Sequence, residues 1–353
     1  MKNKAASWFE QRLGLAAVFA FLTKKEVPQH KHTIWYYTGS SILLFLGIQI
    51  VTGMMLALYY KPTLEGANAS VGRIMTQVPL GWIVRSVHSL SASCLIALVM
   101  VHLISVMLTK TYRKPRELTW MSGVFLLVIS MGFGFTGYLL PWDALSLSAT
   151  KVGTNIPRAI PIVGAWVSKF LRGGEDVTGD TLTRFFLFHI CVLPLLVVVA
   201  LAVHLYLIQK QGISVPLEAE ADKDKVRMLP FWPNFVLRES IVWLVLLGLV
   251  VTGAVFLAPS LGPAADLMAP APKGIRPEWY FLFLFQTLKL FPAHVAGIPG
   301  ETLAVFLIIF VLGLFFVLPL IDNRPAERKG KVITGLVFVF LAYAAALTIW
   351  SLL

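Results

Sequence analysis

Four histidines fall inside long apolar stretches at spacings that would place them in pairs on helix faces. His88 and His102 are fourteen residues apart, and His189 and His204 are fifteen residues apart. On a regular α-helix these intervals correspond to about 21 and 22 Å of rise, with angular offsets of about 40° and 60°. The spacing therefore predicts two bis-imidazole sites at two depths, with His88 opposite His189 and His102 opposite His204.

Neutral imidazole ligates zinc, copper or haem iron. For any single histidine the ordinary alternative is a hydrogen bond between helices, but four histidines at matched depths favour ligation. Carboxylate or thiolate partners that would complete a zinc or copper site are missing at these depths. Two trans imidazoles suit six-coordinate haem, which leaves no position for oxygen and indicates electron transfer.

A flat haem needs facing helix positions that carry no side chain. Four glycines show the required period of fourteen residues, on the stretches before and after the first histidine pair: Gly39, Gly53, Gly123 and Gly137. Glycine pairs in membrane helices also serve helix packing, and the shared period favours the haem interpretation. Anionic propionates need cations, for which the candidates are Arg85, Lys114 and Arg116; Arg116 is equally suited to anchoring a helix at the membrane surface.

Hydrophobic residues make up 57% of the 353-residue chain, and the formal net charge is +12. That composition excludes an ordinary globular protein and indicates an integral membrane protein. No basic stripe with interleaved aromatic residues appears, so no nucleic-acid partner is expected. Cys94 and Cys191 have no second cysteine at ligand spacing, so packing thiols are expected.

Seven apolar runs are each long enough to span a membrane. They cover roughly 34–60, 80–109, 119–140, 184–208, 239–259, 302–321 and 332–352. Lys and Arg concentrate in alternate connections, which predicts a cytoplasmic N-terminus. No cleavable signal peptide is recognised, so insertion is expected to use the first span.

The predicted fold is an all-α integral membrane protein with a four-helix bundle and a three-helix C-terminal half. Residues 1–33 form an amphipathic surface segment and 34–210 the di-haem half. Residues 211–234 are a solvated cytoplasmic linker, and 235–353 form the second half. The connections on the outer side are long and rich in Pro, Gly and aromatic residues, so they are expected to be folded.

Seven motifs, in order, resemble those of cytochrome b, the di-haem quinone-binding subunit of the cytochrome bc and bf complexes. They are GWIVRSVHSLSAS, KPRELTW, GYLLPWDALS, IPRAIPIVG, TLTRFFLFH, HLYLIQKQGISVPL and RPEWYFLF. The fifteen-residue histidine interval, WFEQRL and QGIS resemble the bf branch, whereas the single chain resembles a bc-type protein with seven spans. Tyr37 stands where bf-type proteins carry the cysteine for an extra covalent haem, so two non-covalent haems b are expected.

The resemblance implies a quinol oxidation site on the outer side. Its catalytic residues would be Glu278, which accepts the quinol proton, and Tyr280. Its lining would comprise Tyr138, Pro141, Trp142, Asp143, Pro277 and Trp279. From the residues alone, without the rest of the motif, a solvated loop acid or a helix N-terminal charge is the favoured interpretation of Glu278.

The resemblance also suggests quinone reduction on the inner side, with Lys210 and Glu239 as the basic and acidic groups. Their alternatives are membrane anchoring and helix N-terminal charge. The implied activity is that of the cytochrome b subunit of a proton-translocating quinol:cytochrome c (or similar acceptor) oxidoreductase, with electrons crossing the membrane through two haems.

The expected partners are a Rieske iron-sulfur protein, a cytochrome c-type subunit, quinone and membrane lipids, in a dimeric complex of the bacterial inner membrane. The Cys/His signature of a Rieske centre is missing from the sequence, so that acceptor must be another subunit. A di-haem anchor of another dehydrogenase is the nearest alternative, but it leaves RPEWYF unexplained. A secondary transporter would require inverted repeats and broken helices.

Overall fold

The protein is built almost entirely of helices in the computed structural model, which describes residues 4–220, 224, 226–272, 274–322 and 328–353. The described α-helices are α1 (Lys4–Leu13), α2 (Leu15–Lys24), α3 (Tyr36–Ala57), α4 (Gly66–Thr76), α5 (Gly81–Leu108), α6 (Glu117–Leu139), α7 (Ala144–Asn155), α8 (Gly164–Arg172), α9 (Gly179–Leu187), α10 (Leu193–Gln211), α11 (Leu217–Glu220), α12 (Val236–Phe256), α13 (Trp279–Leu290), α14 (Gly300–Phe316), α15 (Leu318–Ile321) and α16 (Arg328–Leu352). Four short strands accompany them: β1 (Glu26–Gln29), β2 (Arg227–Pro230), β3 (His294–Val295) and β4 (Ile298–Pro299).

Within the described ranges, six helical segments are long and apolar enough to cross a membrane. They are Thr33–Ala57, Gly81–Leu108, Glu117–Leu139, Gly179–Gln211, Phe231–Phe256 and Gly330–Leu352. The run predicted as the sixth of seven spans forms α14, of 17 residues, followed by the short α15. The helical membrane architecture is therefore confirmed, whereas the count of seven spans stays a prediction.

The segment that carries the second histidine pair is one continuous helix with a π turn inside it. Phe188–Val192 forms this turn between α9 and α10, and Pro194 follows in the first turn of α10. Because proline has no amide proton to donate, the regular hydrogen-bond ladder is interrupted there. A π turn holds one residue more than an α turn. The 60° offset expected for His189 and His204 is therefore wrong: the extra residue is absorbed, and fifteen residues match the register of fourteen on α5.

The four-helix bundle consists of two closely packed helix pairs. α3 packs along α5, and α6 packs along α10. Each pair joins a helix with the period-fourteen glycines to a helical segment that carries one of the histidine pairs. The bundle thereby sets every glycine row against a histidine row.

The two halves of the chain share one hydrophobic core. Phe45 and Leu95 of the bundle are buried in the same cluster as Val250, Tyr280 and Leu318 of the second half. Trp120 of α6 also donates its indole N–H to the carbonyl oxygen of Phe315 at 2.8 Å. The proposed division at 211–234 therefore separates sequence segments whose side chains pack together.

The segment expected to be a solvated linker contributes a strand in its described part. β2 pairs antiparallel with β1, with Val27 opposite Leu229. Both side chains are buried together with Phe235. This pairing ties the start of the second half to the N-terminal segment, where α1 and α2 are separated at Gly14, whose φ is +58°.

The connection after α6, which is predicted to lie on the outer side, is folded, as expected from its composition. Asp143 begins α7 through a capping box: its carboxylate accepts from the amide of Ser146, whose hydroxyl accepts from the amide of Asp143. The second carboxylate oxygen accepts from the amide of Gly262 at 3.3 Å. Asp143 thus links this connection to the segment between α12 and α13.

Candidate functional site

The four histidines lie in the predicted pairs across the bundle. His88 and His102 belong to α5, His189 to the π turn and His204 to α10. The ring centres of His88 and His189 are 6.3 Å apart, with 70° between the planes. His102 and His204 also lie near each other.

Each period-fourteen glycine lies against one histidine. A Cβ atom added at Gly39 would be 3.5 Å from Cε1 of His102, and one at Gly53 would be 3.3 Å from Cε1 of His88. On α6, the corresponding distances are 3.4 Å from Gly123 to His204 and 2.7 Å from Gly137 to His189. The absence of a side chain at each glycine, predicted to make room for a haem plane, thus also makes room for the imidazole ring.

A hydroxyl group precedes every one of these glycines and contacts the same imidazole. The oxygens of Thr38, Thr52 and Ser122 lie 2.8 Å from Nδ1 of His102, His88 and His204, and that of Thr136 lies 3.1 Å from Nδ1 of His189. These four residues are not among the site residues predicted from the sequence. The signal that could have found them is a Ser/Thr-Gly dipeptide repeated at fourteen-residue intervals in both helices.

The geometry of the His88–His189 pair fits a haem between two imidazoles. Two imidazoles that ligate one metal ion from opposite sides, with metal–nitrogen bonds of about 2 Å, have ring centres roughly 6 Å apart, which agrees with His88 and His189. In the described part of the chain, no hydrogen bond uses Nε2 of any of the four histidines. The described part of the chain also contains no group of three or more His, Cys, Asp or Glu side chains that could hold a metal ion. The donor set is two imidazoles, which suits a haem that brings its own four nitrogens.

The predicted propionate partners differ in their surroundings. Arg116 donates through Nη2 to the carbonyl oxygen of Gln211 at 3.0 Å, while its buried Nε has no partner among the described residues. Arg85 instead donates to the carbonyl oxygens of Pro259 at 2.5 Å and Ser260 at 3.3 Å, after α12. The side chain of Lys114 is exposed. An orphaned guanidinium nitrogen fits an anionic group at Arg116, and all three assignments stay predictions.

Glu278 and Tyr280 lie together at the start of α13. Glu278 is the N-cap residue, yet its carboxylate makes no capping hydrogen bond, and burial raises the pKa of this carboxyl group. Tyr280 is 5% exposed, and its phenol lies directly against Gly134 of α6. Burial first, and then the nearby charges of Glu278 and Tyr138, raise the pKa of Tyr280. The pair combines a half-buried carboxyl group with a buried phenol.

The other predicted lining residues surround this pair in different ways. Tyr138, Pro141 and Pro277 are half-buried, and Trp279 is 38% exposed. Trp142 is only 1% exposed and belongs to the core between α6, α7 and α9. Together with the helix cap formed by Asp143, this burial shows a structural role for the Trp142–Asp143 dipeptide; their part in a quinol site stays a prediction.

On the opposite side of the bundle, Lys210 and Glu239 are not brought together by any described contact. Lys210 is exposed at the end of α10, and Glu239 is half-buried in α12. A cavity of about 610 Å³ opens beside them, lined by Ala17, Ala20, Phe21, Lys24, Lys25, Glu26, Ile208, Gln209, Gly212 and Ile213. Lys25 donates to the side-chain oxygen of Gln209 at 2.7 Å, and burial lowers its pKa while the charge of Glu239 raises it. Lys25 is a cavity cation that the sequence analysis missed.

Comparison with known proteins gives consistent results over nearly the whole chain. Family models described as Cytochrome b/b6/petB and Cytochrome b(C-terminal)/b6/petD match residues 22–212 and 264–352. The chain is 43% identical over 338 residues to the cytochrome bc complex cytochrome b subunit of Chlorobaculum thiosulfatiphilum, which covers 94% of this chain and 77% of that protein.

Two further similarities come from a shorter relative and from a solved structure. Cytochrome b6 of Gracilaria tenuistipitata var. liui is 45% identical over 215 residues, covering 61% of this chain and all of that protein. A chain of a structure titled hyperthermophilic respiratory Complex III superposes with a TM-score of 0.86 at 30% identity, covering 98% of this chain and 91% of the other.

Fold and site together define a helical integral membrane protein of the electron-transfer class, with histidines paired across a four-helix bundle. The chain belongs to the cytochrome b family of the bc and b6 type. The resemblance inferred from its motifs is thereby confirmed, and the family implies that it binds haem b.

Proposed function

We propose that this chain is the cytochrome b subunit of a quinol:cytochrome c (or similar acceptor) oxidoreductase that couples quinol oxidation to proton translocation. The observation that carries the proposal is the fourfold repetition of one unit, in which a hydroxyl and a glycine of one helix meet a histidine of its neighbour. Four such units in two pairs support two bis-histidine haems b, one held by His88 and His189 and the other by His102 and His204.

Haem b, when bound, supplies reversible one-electron chemistry at two depths of the membrane. The chain's own residues bind and orient it: the four Nε2 atoms serve as ligands, and the buried Nε of Arg116 is suited to a propionate. A third haem is not proposed, because Tyr37 stacks on Phe235 with ring centres 5.0 Å apart where a thioether to cysteine would be needed.

The decisive experiment is a reduced-minus-oxidised visible spectrum of the purified protein with haem quantified per chain. We expect a b-type signal at about two haems per chain, the number that four axial histidines ligate. His102→Ala or His204→Ala should remove one haem and leave the other, and His294→Ala, in the exposed β3, is the matched control. Retention of both haems in either bundle variant would refute the pairing.

For quinol oxidation we propose that Glu278 accepts a proton from the quinol hydroxyl and that Tyr280 donates a hydrogen bond to the ring oxygen. Their support is the half-buried carboxylate with no capping role and the buried phenol beside it. A carboxyl group with a raised pKa suits proton relay near neutral pH. Tyr138, Pro141, Trp142, Asp143, Pro277 and Trp279 are proposed to form the surrounding walls.

For quinone reduction we propose the cytoplasmic side of the bundle, with Lys210 and Glu239 as protonating groups. The cavity between α2 and the end of α10 supports this location, and Lys25 adds a cation inside it. Lys210→Met and Glu239→Gln should each slow electron flow to quinone from the inner haem, which is the one held by His102 and His204, measured by flash-induced haem reoxidation. Normal reoxidation in both variants would remove these residues from the site.

We further propose a location in the bacterial inner membrane with a cytoplasmic N-terminus, because Lys and Arg concentrate in alternate connections. The proposed assembly is a dimeric complex with a Rieske iron-sulfur protein, a cytochrome c-type subunit and membrane lipids. Both cysteines lie in apolar runs, which supports an iron-sulfur acceptor on a separate chain. Co-purification of the tagged chain with an iron-sulfur subunit tests the assembly.

A further inference from the structure

The four hydroxyl groups beside the histidines have a donor–acceptor direction that can be worked out. A hydroxyl has one proton to donate and lone pairs to accept with. In each case a second contact joins the same oxygen to a carbonyl three or four residues earlier in its own helix. These contacts are Thr38 to Trp35 at 2.6 Å, Thr52 to Ile48 at 2.6 Å, Ser122 to Thr119 at 2.9 Å and Thr136 to Gly132 at 2.8 Å.

A carbonyl oxygen can only accept, so each hydroxyl proton is committed to its own helix backbone. The hydroxyl oxygen must then accept from the imidazole, which makes Nδ1 of each histidine the protonated nitrogen. The other nitrogen, Nε2, carries the free lone pair. Because the partner of one ring nitrogen decides which nitrogen is left for a metal, all four histidines are held in the tautomer that ligates through Nε2.

We propose that Thr38, Thr52, Ser122 and Thr136 are positioning residues that select the ligating tautomer of the four histidines and lower the midpoint potential of the haem on their side. The inference rests on the proposed haem binding and deepens it. An acceptor at Nδ1 makes the imidazole a stronger electron donor at Nε2. A stronger donor stabilises oxidised iron more than reduced iron, so the hydroxyl favours the oxidised form.

The arrangement also predicts which haem each hydroxyl controls. Thr52 and Thr136 act on the His88–His189 pair, and their helices α3 and α6 lie on opposite sides of it. Thr38 and Ser122 act in the same way on the His102–His204 pair. A hydroxyl deletion should therefore affect one haem and spare the other, whereas a general loosening of the bundle would affect both.

The test is a potentiometric titration of the purified holoprotein carrying Thr136→Val, which keeps the side-chain shape and removes the hydroxyl. We expect the ratio of reduced to oxidised His88–His189 haem at a fixed ambient potential to rise about three- to tenfold, a tenfold change being about 59 mV for one electron. Thr38→Val should do the same to the other haem only. Thr136→Ser restores the hydroxyl and should restore the wild-type potential.

Ser130→Ala is the matched control, because Ser130 lies on the same helix and donates to Leu126 at 2.8 Å but contacts no histidine. It should move neither potential. Loss of only the adjacent haem in Thr136→Val, with recovery in Thr136→Ser, also supports the proposal. Unchanged potentials in Thr136→Val, or a Ser variant that behaves like the Val variant, would overturn it. A wild-type protein without haem would instead overturn the proposed function.

Discussion

The four glycines of the bundle differ in how closely they approach their histidines, and this difference predicts a graded response to one methyl group. A Cβ at Gly137 would lie 2.7 Å from Cε1 and 3.3 Å from Nδ1 of His189. Carbon atoms that are not bonded prefer about 3.5–4.0 Å, so either the ring or the helix must move. His189 has little freedom to move, because Thr136 holds Nδ1 and the ring of Phe133 lies edge-on with centres 5.5 Å apart.

Gly137→Ala should therefore weaken the haem held by His88 and His189. Overpacking of this kind costs about 1–3 kcal/mol, which corresponds to roughly 5- to 150-fold weaker haem retention at 1.4 kcal/mol per tenfold. At Gly39 the added methyl group would be 3.5 Å from His102, an ordinary contact. Gly39→Ala should therefore weaken its haem less than Gly137→Ala does, and its helix gains up to about 1 kcal/mol from the better helix former.

The assay is haem content per chain during dilution and detergent washing, with the two haems distinguished by their midpoint potentials. Gly53→Ala and Gly123→Ala, at 3.3 and 3.4 Å, should fall between the extremes. The reasoning fails if Gly137→Ala retains both haems with unchanged potentials. It fails equally if Gly39→Ala loses its haem as readily as Gly137→Ala.

Three further predictions concern groups outside the histidine pairs. Burial raises the pKa of Glu278, so the carboxylate that is needed as a base becomes protonated at a higher pH than a solvated glutamate would. Quinol oxidation should therefore fall as the pH drops through that pKa. Glu278→Gln should oxidise quinol slowly at every pH while both haems still assemble. A variant with wild-type turnover would count against Glu278 as the proton acceptor. Asp143→Ala should lower the free energy of unfolding by about 0.5–2 kcal/mol, because the helix cap is lost. Asp143→Asn can still cap the helix, so it should restore both stability, measured by thermal inactivation, and turnover, measured by activity. An Asn variant with normal stability but slow turnover would instead indicate a role in proton chemistry. Asp322→Asn should lower the free energy of unfolding by about 3–5 kcal/mol, because it leaves Lys110 buried without its ion-pair partner at 3.0 Å. Adding Lys110→Met to this variant should recover most of the lost thermal stability. Equal stability of the single and double variants would show that the pair is not coupled.

The buried pair of Lys110 and Asp322 shows how much of the molecule depends on distant contacts. Asp322 is fully buried and also accepts from the phenol of Tyr112, while Lys110 donates to the carbonyl oxygen of Gly330 at 3.2 Å. These groups are more than 200 residues apart in the chain. Nothing in the local pattern around Lys110, which reads as a basic surface loop, distinguishes it from neighbouring cations.

The sequence by itself determined the membrane class, the helix positions, the histidine pairs and the glycine period, because each depends on residue type and on spacing along a single helix. Hydropathy is a sum over neighbouring residues, and a period of fourteen residues is visible in the sequence of a single helix. The resemblance to cytochrome b depends on the same kind of local signal, since each of its motifs is continuous in the chain.

Only the tertiary structure decided which atoms meet between helices. The π turn at Phe188–Val192 corrected the register of His189, since an ideal helix was assumed for that segment. The Arg85 guanidinium reaches the carbonyl of Pro259, and the hydroxyl oxygen of Thr136 lies 3.1 Å from Nδ1 of His189. Such contacts depend on helix rotation and separation set by the whole packed core, and no single stretch of sequence carries that information.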